Sequence, residues 1–389
     1  MRLAWWNRLW TVQEGILPKE ATLVYGTEQI SMFDFLQGYK NSAAHVRLGC
    51  CKNHSLHRFW DTCHRIRYIR NREQSVSLFI TALSMFRTRQ ASDRRDHMFA
   101  LLGLGGTIAA DYSLSWQKVF MQGTRKLIID SGELLPLLRT SELERSPELP
   151  SWVPDWSAKV DEESLDAELA WLYNWSFFDA AAGTKPMIDG SQSASLLDLQ
   201  GVRVDRVSEV GSCMDNFSKE ERLKCLSEWQ DMINKASKDH NHDVPYGGSY
   251  IDAFWRPATA DIVAEPREDG TVNYRRSVPA DGQESHRIWS PSYKGFEVMP
   301  SKYLRGFITQ AGMIGVGPRD AQVGDEVWVF LGGRMPFVLR PIKLSLEAEE
   351  TKDYHEYIGQ AYVHGIMNGE AMRETQRGDQ KLVTNCVLI

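Results

Sequence analysis

Trp5-Trp6-Asn7-Arg8-Leu9-Trp10-Thr11-Val12-Gln13-Glu14 stands almost at the start of the chain. Trp5, Trp6, Leu9 and Trp10 fall at the i, i+1, i+4, i+5 spacing that places side chains on one face of a helix. The spacing predicts a helix with one buried side, stopped by Pro18. Ala21 to Tyr25 then reads as a short buried strand ended by Gly26. Termini usually fray, so a buried helix this early carries the expectation that its supporting sheet lies upstream of the chain.

Outward from that stretch the pattern stays helical. Ser31 and Asp34 form a capping box before Phe33, Phe35 and Leu36. Residues 41–55 read as a polar loop with Cys50, Cys51 and His54. Leu56, Phe59, Trp60, Cys63 and Ile66 return to helical period, and a second helix covers 77–86. Asp93 and Asp96 bracket a short helix through Met98, Phe99, Leu101 and Leu102, closed by Gly103. Trp116, Val119, Phe120, Gly123, Leu127 and Ile128 make a clean stripe ended by Gly132. Residues 139–195 read as a long connector built around Leu149 to Trp156.

Beyond the connector the period changes. Leu197, Leu199, Val202, Val204 and Val207 alternate about Gln200-Gly201, which suggests paired strands. Ser218 with Glu221 opens a helix to about Ala236. Residues 238–250 and 264–285 are polar, and the second stretch has the composition of disorder. Strands are expected at 305–309, 313–316, 326–331, 335–340 and 357–364, between Gly-rich turns. The fold class is therefore α+β, with a helix-rich N-terminal part and a mixed C-terminal domain ending in a small β-sheet or barrel.

Bulk composition excludes several function classes. The chain has 389 residues, 42% hydrophobic and 25% charged, with net charge −6. Such a length favours two domains, and no basic half marks a nucleic-acid footprint. The longest apolar stretch, Val76 to Phe86, is too short to span a bilayer, and no secretory signal is visible. Six cysteines without framework spacing read as reduced thiols of a cytoplasmic protein. Thirteen Trp point to well-packed elements.

Four separated blocks resemble one family, the fungal heterokaryon-incompatibility (HET) domain proteins. The first is Arg8-Leu9-Trp10-Thr11-Val12-Gln13-Glu14. The second is Ala91-Ser92-Asp93-Arg94-Arg95-Asp96 with Phe99 to Leu104, then Asp111-Tyr112-Ser113; Arg94 stands where the family has Pro. The third is Leu149-Pro150-Ser151-Trp152-Val153-Pro154-Asp155-Trp156-Ser157. The fourth runs from Gly324 to Arg340 and resumes at Tyr362 to Ala371, with Gly365, Gly369 and Glu370. Earlier HET blocks have no counterpart here.

The resemblance implies a HET domain similar to the TIR α/β fold. It divides the chain into the end of that domain (1–30), following helices (31–138), the connector (139–195) and a mixed α/β domain (196–389). It implies a protein of nonself recognition in vegetative incompatibility, signalling to programmed cell death through a protein partner. By the same likeness Glu14 matches the carboxylate of NAD-hydrolysing TIR enzymes. This chain alone is expected to hydrolyse no NAD and to need no cofactor. A truncated product without function is a third reading.

Each candidate has a plainer structural alternative. A helix-surface Glu14 is most often solvated or paired with Arg8. Arg95 between Asp93 and Asp96 suits a charge-and-capping cluster better than an anion site. Trp152, Pro154, Asp155 and Trp156 suit a packed connector better than a recognition strip. His240-Asn241-His242 and Cys50-Cys51 lack the further ligands a metal needs. Gly103-Leu104-Gly105-Gly106 follows a helix rather than a strand, so it reads as a helix terminus and not a phosphate loop.

Overall fold

The computed structural model describes residues 4–38, 54–138, 146–188, 193–214, 219–239, 253, 255–257, 259–266, 272–278, 281, 303–342, 354–376 and 382–389. Cys50, Cys51, the His240–His242 run and the capping residue Ser218 lie outside them.

The opening helix is broken in two, α1 (Ala4–Asn7) and α2 (Thr11–Ile16). The Thr11 hydroxyl donates to the carbonyls of Trp5 and Arg8, both at 2.7 Å, competing with continuation of the helix. The chain between them docks on another segment, Leu9 N–H donating to the Gln90 carbonyl at 2.9 Å. The buried side is accordingly Leu9, Val12 and Ile16, while Trp10 is 42% exposed. Strands β1 (Thr22–Tyr25) and β2 (Glu28–Ser31) form a hairpin around left-handed Gly26. Contrary to the expected buried strand, this hairpin is largely exposed, because Leu23 packs against the core while Val24 and Tyr25 stay in solvent. The Ser31 cap is formed, with Asp34 N–H donating to Ser31 Oγ at 3.0 Å.

Three long helices follow, α3 (His54–Arg70), α4 (Val76–Met85) and, after the one-turn α5 (Asp96–Phe99), α6 (Trp116–Ser131). Ser75 and Ser115 cap α4 and α6, and Gly132 closes α6 at φ 65°. The turn after α5 ends at Gly105 (φ 114°), not at the expected Gly103. Gly103 is needed for another reason: a Cβ there would sit 2.7 Å from Gln13 Oε1.

The connector contains a helix that composition concealed, α7 (Glu162–Asn174). Asp161 caps it by accepting the Ser164 N–H at 2.7 Å. Its inner face mixes Leu165, Leu169 and Trp171 with Glu168, whose charge interrupts the apolar stripe. Glu168 pairs with Arg87 at 3.1 Å, both side chains essentially unexposed.

The alternation around Gly201 belongs to one strand of 17 residues, β3 (Leu197–Cys213), rather than to a hairpin. Gly201 admits Phe330, whose Cδ1 would lie 2.7 Å from an added Cβ. Irregular register at 203/205, 207/209 and 210/213 lets β3 serve several partners in turn. Its first half joins β8 (Glu326–Phe330), β9 (Phe337–Ile342), β10 (Tyr354–Gln360) and β12 (Thr384–Leu388). The order β3-β12-β10-β9-β8 returns to β3, closing a five-stranded barrel. Its second half continues into β6 (Leu304–Thr309), β7 (Ile314–Pro318) and the two-residue β11 (Tyr362–Val363).

Helix α8 (Lys219–Asp239) covers this extension, with Trp229 laid over Gly211 and Gly306. A separate hairpin, β4 (Ile262–Pro266) with β5 (Val272–Arg276), occupies part of the stretch expected to be disordered. Its pairing is stabilised by Glu265 and Arg275 at 2.7 Å, which composition alone does not reveal. Helix α9 (Glu370–Gln376) precedes the last strand.

One apolar cluster runs from Leu9 through Trp156 to Leu388. Hydrogen bonds bind the helical and barrel parts, including Tyr357 O–H to the Leu137 carbonyl at 2.8 Å and Ser151 N–H to the Ile389 carbonyl at 2.7 Å. No helix among the described residues is long and apolar enough to cross a membrane.

Candidate functional site

Three sequence blocks meet at the turn that begins α5. Asp93 Oδ1 accepts the backbone N–H and the Nε–H of Arg95, each at 2.9 Å, and Oδ2 takes Nη2 at 2.5 Å. These bonds hold the Asp93 carboxyl below the ordinary range. The far nitrogen of Arg95 donates to the carbonyls of Tyr112 (2.6 Å) and Leu114 (2.8 Å), pinning the loop that enters α6. Ser113 donates its N–H and O–H to Asp111, shaping the same loop.

Asp96 is the junction. Its Oδ1 accepts the Tyr112 hydroxyl at 2.6 Å and its Oδ2 accepts the Trp10 indole N–H at 3.0 Å. The Tyr112 phenol is pushed up to about 12, first by partial removal from water and then by the Asp96 carboxylate. Arg94 joins the third block, with Nε to Ser157 Oγ at 2.8 Å and Nη2 to Asp155 Oδ2 at 3.0 Å. Its guanidinium lies 3.7 Å from the centroid of Trp116. A cleft of about 490 Å³ opens here, lined by Ser92, Asp93, Arg94, Arg95, Ser115 and Trp116.

Other signature residues have structural work. Gln13 donates to the Ala100 carbonyl at 2.6 Å, tying the first block to the second. Trp152 and Trp156 are each 1% exposed, and Pro154 is buried with them. Trp152 donates to the Ser195 carbonyl at 2.9 Å, and Arg87 lies 5.2 Å over Trp156. Both Trp of this block are therefore packed into the core. His97, beside the cluster, is lowered to about 4 by burial and then by the Arg87 charge.

Glu14 stands apart. It is exposed and accepts the Trp5 indole N–H at 2.9 Å, instead of pairing with Arg8. Gly365 (φ 92°) and Gly369 (φ 84°) shape a turn whose Glu370 accepts the Asn368 N–H at 2.7 Å; this fourth block packs on Ala182 and Arg276.

Sequence reasoning missed a second polar group, on the barrel strands. Glu326 Oε2 faces His355 Nε2 at 3.1 Å and the Trp328 indole N–H at 3.0 Å. Arg206 (2.7 Å) and Arg203 (3.2 Å) reach Oε1 from the rim. Burial alone would raise this carboxyl, but bonds from His355, Arg206 and Trp328 hold it at about 2. The other ring nitrogen of His355, Nδ1, lies 3.4 Å from the Cys386 sulfur. The order thiol, imidazole, carboxylate matches a nucleophilic relay. Cys386 is wholly buried, and the three side chains tie β8, β10 and β12 together. The alternation Glu326, Trp328, Phe330 was the available signal, since it puts a carboxylate among inward aromatics.

No cluster of three or more metal-ligating side chains exists among the described residues. Residues 283–383 match the family model described as the Het-6 beta-barrel domain. Across its length the chain is similar to heterokaryon incompatibility protein 6, OR allele, of Neurospora crassa (strain ATCC 24698 / 74-OR23-1A / CBS 708.71 / DSM 1257 / FGSC 987). The two are 26% identical over 464 residues, covering 97% of this chain and 66% of that protein. The chain thus carries a match to the Het-6 beta-barrel domain and is similar over its length to a fungal heterokaryon-incompatibility protein. It spans about two thirds of the length of the curated relative it matches. No solved structure gives a match. The closed barrel draws on β3 and β12, which lie on either side of the matched stretch.

Proposed function

We propose that this chain acts in vegetative incompatibility, as a nonself-recognition protein that contacts a protein partner and passes the signal toward programmed cell death. The similarity to a protein named for heterokaryon incompatibility supports the biological role. The observation that carries the site is the hydrogen-bonded convergence of Trp10, Arg94, Asp96, Tyr112 and Asp155, from three distant blocks, beside an open cleft that Arg94 lines.

Much of this cluster faces water: Trp10 and Tyr112 are 42% and 49% exposed. Exposed hydrogen bonds and ion pairs add little to folding, so their cost in side-chain ordering favours a role in contact. An exposed Trp and Tyr with a stacked Arg are the residue types enriched where proteins bind proteins.

The test is a heterokaryon-formation assay with strains carrying Trp10→Ala or, as a distant control, Val323→Ala. The proposal expects Trp10→Ala to lose incompatibility at wild-type protein level and the control to keep it. Equal behaviour of both variants would refute it.

A further inference from the structure

The turn before β4 is built around one carboxylate. Asp261 is wholly buried. It takes Arg256 Nη1 at 2.5 Å, Arg276 Nε at 2.6 Å and the Ser277 hydroxyl. A buried charge is tolerated only when paired, and here two guanidinium groups share it. The backbone agrees. Ala260 (φ 46°) and Asp261 (φ 58°) are consecutive non-glycine residues in the left-handed region. Such a pair persists only where its surroundings hold it, and it is found where a segment changes state.

The surroundings are specific. Asp261 N–H donates to the Arg256 carbonyl at 2.7 Å, and Ser277 N–H donates to the Asp261 carbonyl at 3.0 Å, closing the turn onto β5. From β5, Arg276 crosses to the body. Its Nη1 donates to the Phe177 carbonyl at 3.2 Å and to Asn368 Oδ1 at 2.8 Å, and its guanidinium lies 4.9 Å from the Phe178 ring. Phe178 packs edge-on to buried Tyr362 at 6.2 Å. On the opposite side of the hairpin, Arg275 bonds Glu265 at 2.7 Å and Asp281 at 2.7 and 3.0 Å. Those bonds stabilise the hairpin itself, whereas Arg276 bonds it to the body.

We infer that the turn at Ala260 and Asp261 and the paired strands β4 and β5 form a strap that detaches as a unit, with Asp261 as the latch. The backbone strain favours release and the two ion pairs oppose it. Release frees Asn368 in the Gly365–Glu370 turn and uncovers Phe178. The strap thereby governs access to the fourth sequence block, away from the Asp96 cleft.

Hydrogen exchange on the full chain tests this, comparing wild type with Asp261→Asn, Arg276→Gln and Asp281→Asn. Asp261→Asn and Arg276→Gln are expected to speed exchange in 272–278 and at 177–178 and 368 by roughly tenfold or more, with α4, α6 and the barrel strands unchanged. Asp281→Asn, on the outer side, should leave 177–178 and 368 as in wild type. If Asp261→Asn fails to fold, Arg276→Gln decides the matter, since it keeps the Arg256–Asp261 pair. Acceleration spread evenly over the chain, or none in the strap, would overturn the inference.

Discussion

Trp10 donates its indole N–H to Asp96 at 3.0 Å, across 86 positions of sequence. The same carboxylate receives the Tyr112 hydroxyl, so one side chain joins the α1–α2 break to the loop before α6. Both donors are partly exposed, and water replaces them at modest cost. Asp96→Ala should therefore lower stability by only about 1–2 kcal/mol in a urea melt. A loss several times larger would mean that the cluster is a folding element.

The buried pair behaves oppositely. Glu168→Ala would leave Arg87 charged and enclosed, next to Trp156. A loss of roughly 3–5 kcal/mol is expected from the denaturant midpoint. Replacing both residues with Met and Leu should recover most of it, because no charge is then left without its partner.

Acid should act in two steps. His97 is lowered in the folded chain to about 4, from an ordinary 6.5, so its contribution is complete above pH 6.5 and is lost as pH falls through 4. That step amounts to roughly 3 kcal/mol. Glu326 is held at about 2 against 4.5, so its share is complete above 4.5 and disappears only as pH falls toward 2. Urea melts between pH 7 and 2 check this. In His97→Gln the upper step should vanish while the lower one remains.

Thiol labelling separates the described cysteines. Cys63 is buried and its thiol is pushed up to about 12 by burial, and Cys386 is wholly buried on β12. Neither should react with iodoacetamide at pH 8 in the folded protein, whereas the partly exposed Cys213 should react. Fast labelling of Cys386 would mean that the barrel opens at the β10–β12 seam, where two parallel register pairs join the strands.

Much of this architecture was legible because local rules and packing agree. Gly132 ends α6 as its left-handed conformation requires, and the strands between Gly-rich turns recur in the barrel and its extension. Helix α7 was hidden because Glu168 sits on its inner face, and only Arg87, far away in sequence, explains it. The β3 stretch looked like a hairpin because Gly201 resembles a turn residue. Its actual reason is the Phe330 ring. Of the site, Asp93, Arg95 and Asp96 were readable as a capping cluster. Their junction with Trp10 and Asp155 was not, since no spacing rule links residues so far apart. Arg94 carried no signal beyond standing where Pro is usual, yet it bridges the second and third blocks.

The proposed function requires a cleft face that recognises a partner and is dispensable for folding. Arg94→Glu probes both halves at once, because it reverses charge above Trp116 at a side chain 43% exposed. The melting temperature of the purified variant and its heterokaryon-formation phenotype should be measured together. The expected result is a melting temperature within a few degrees of wild type with incompatibility abolished. Full incompatibility in a normally folded Arg94→Glu protein would contradict the claim.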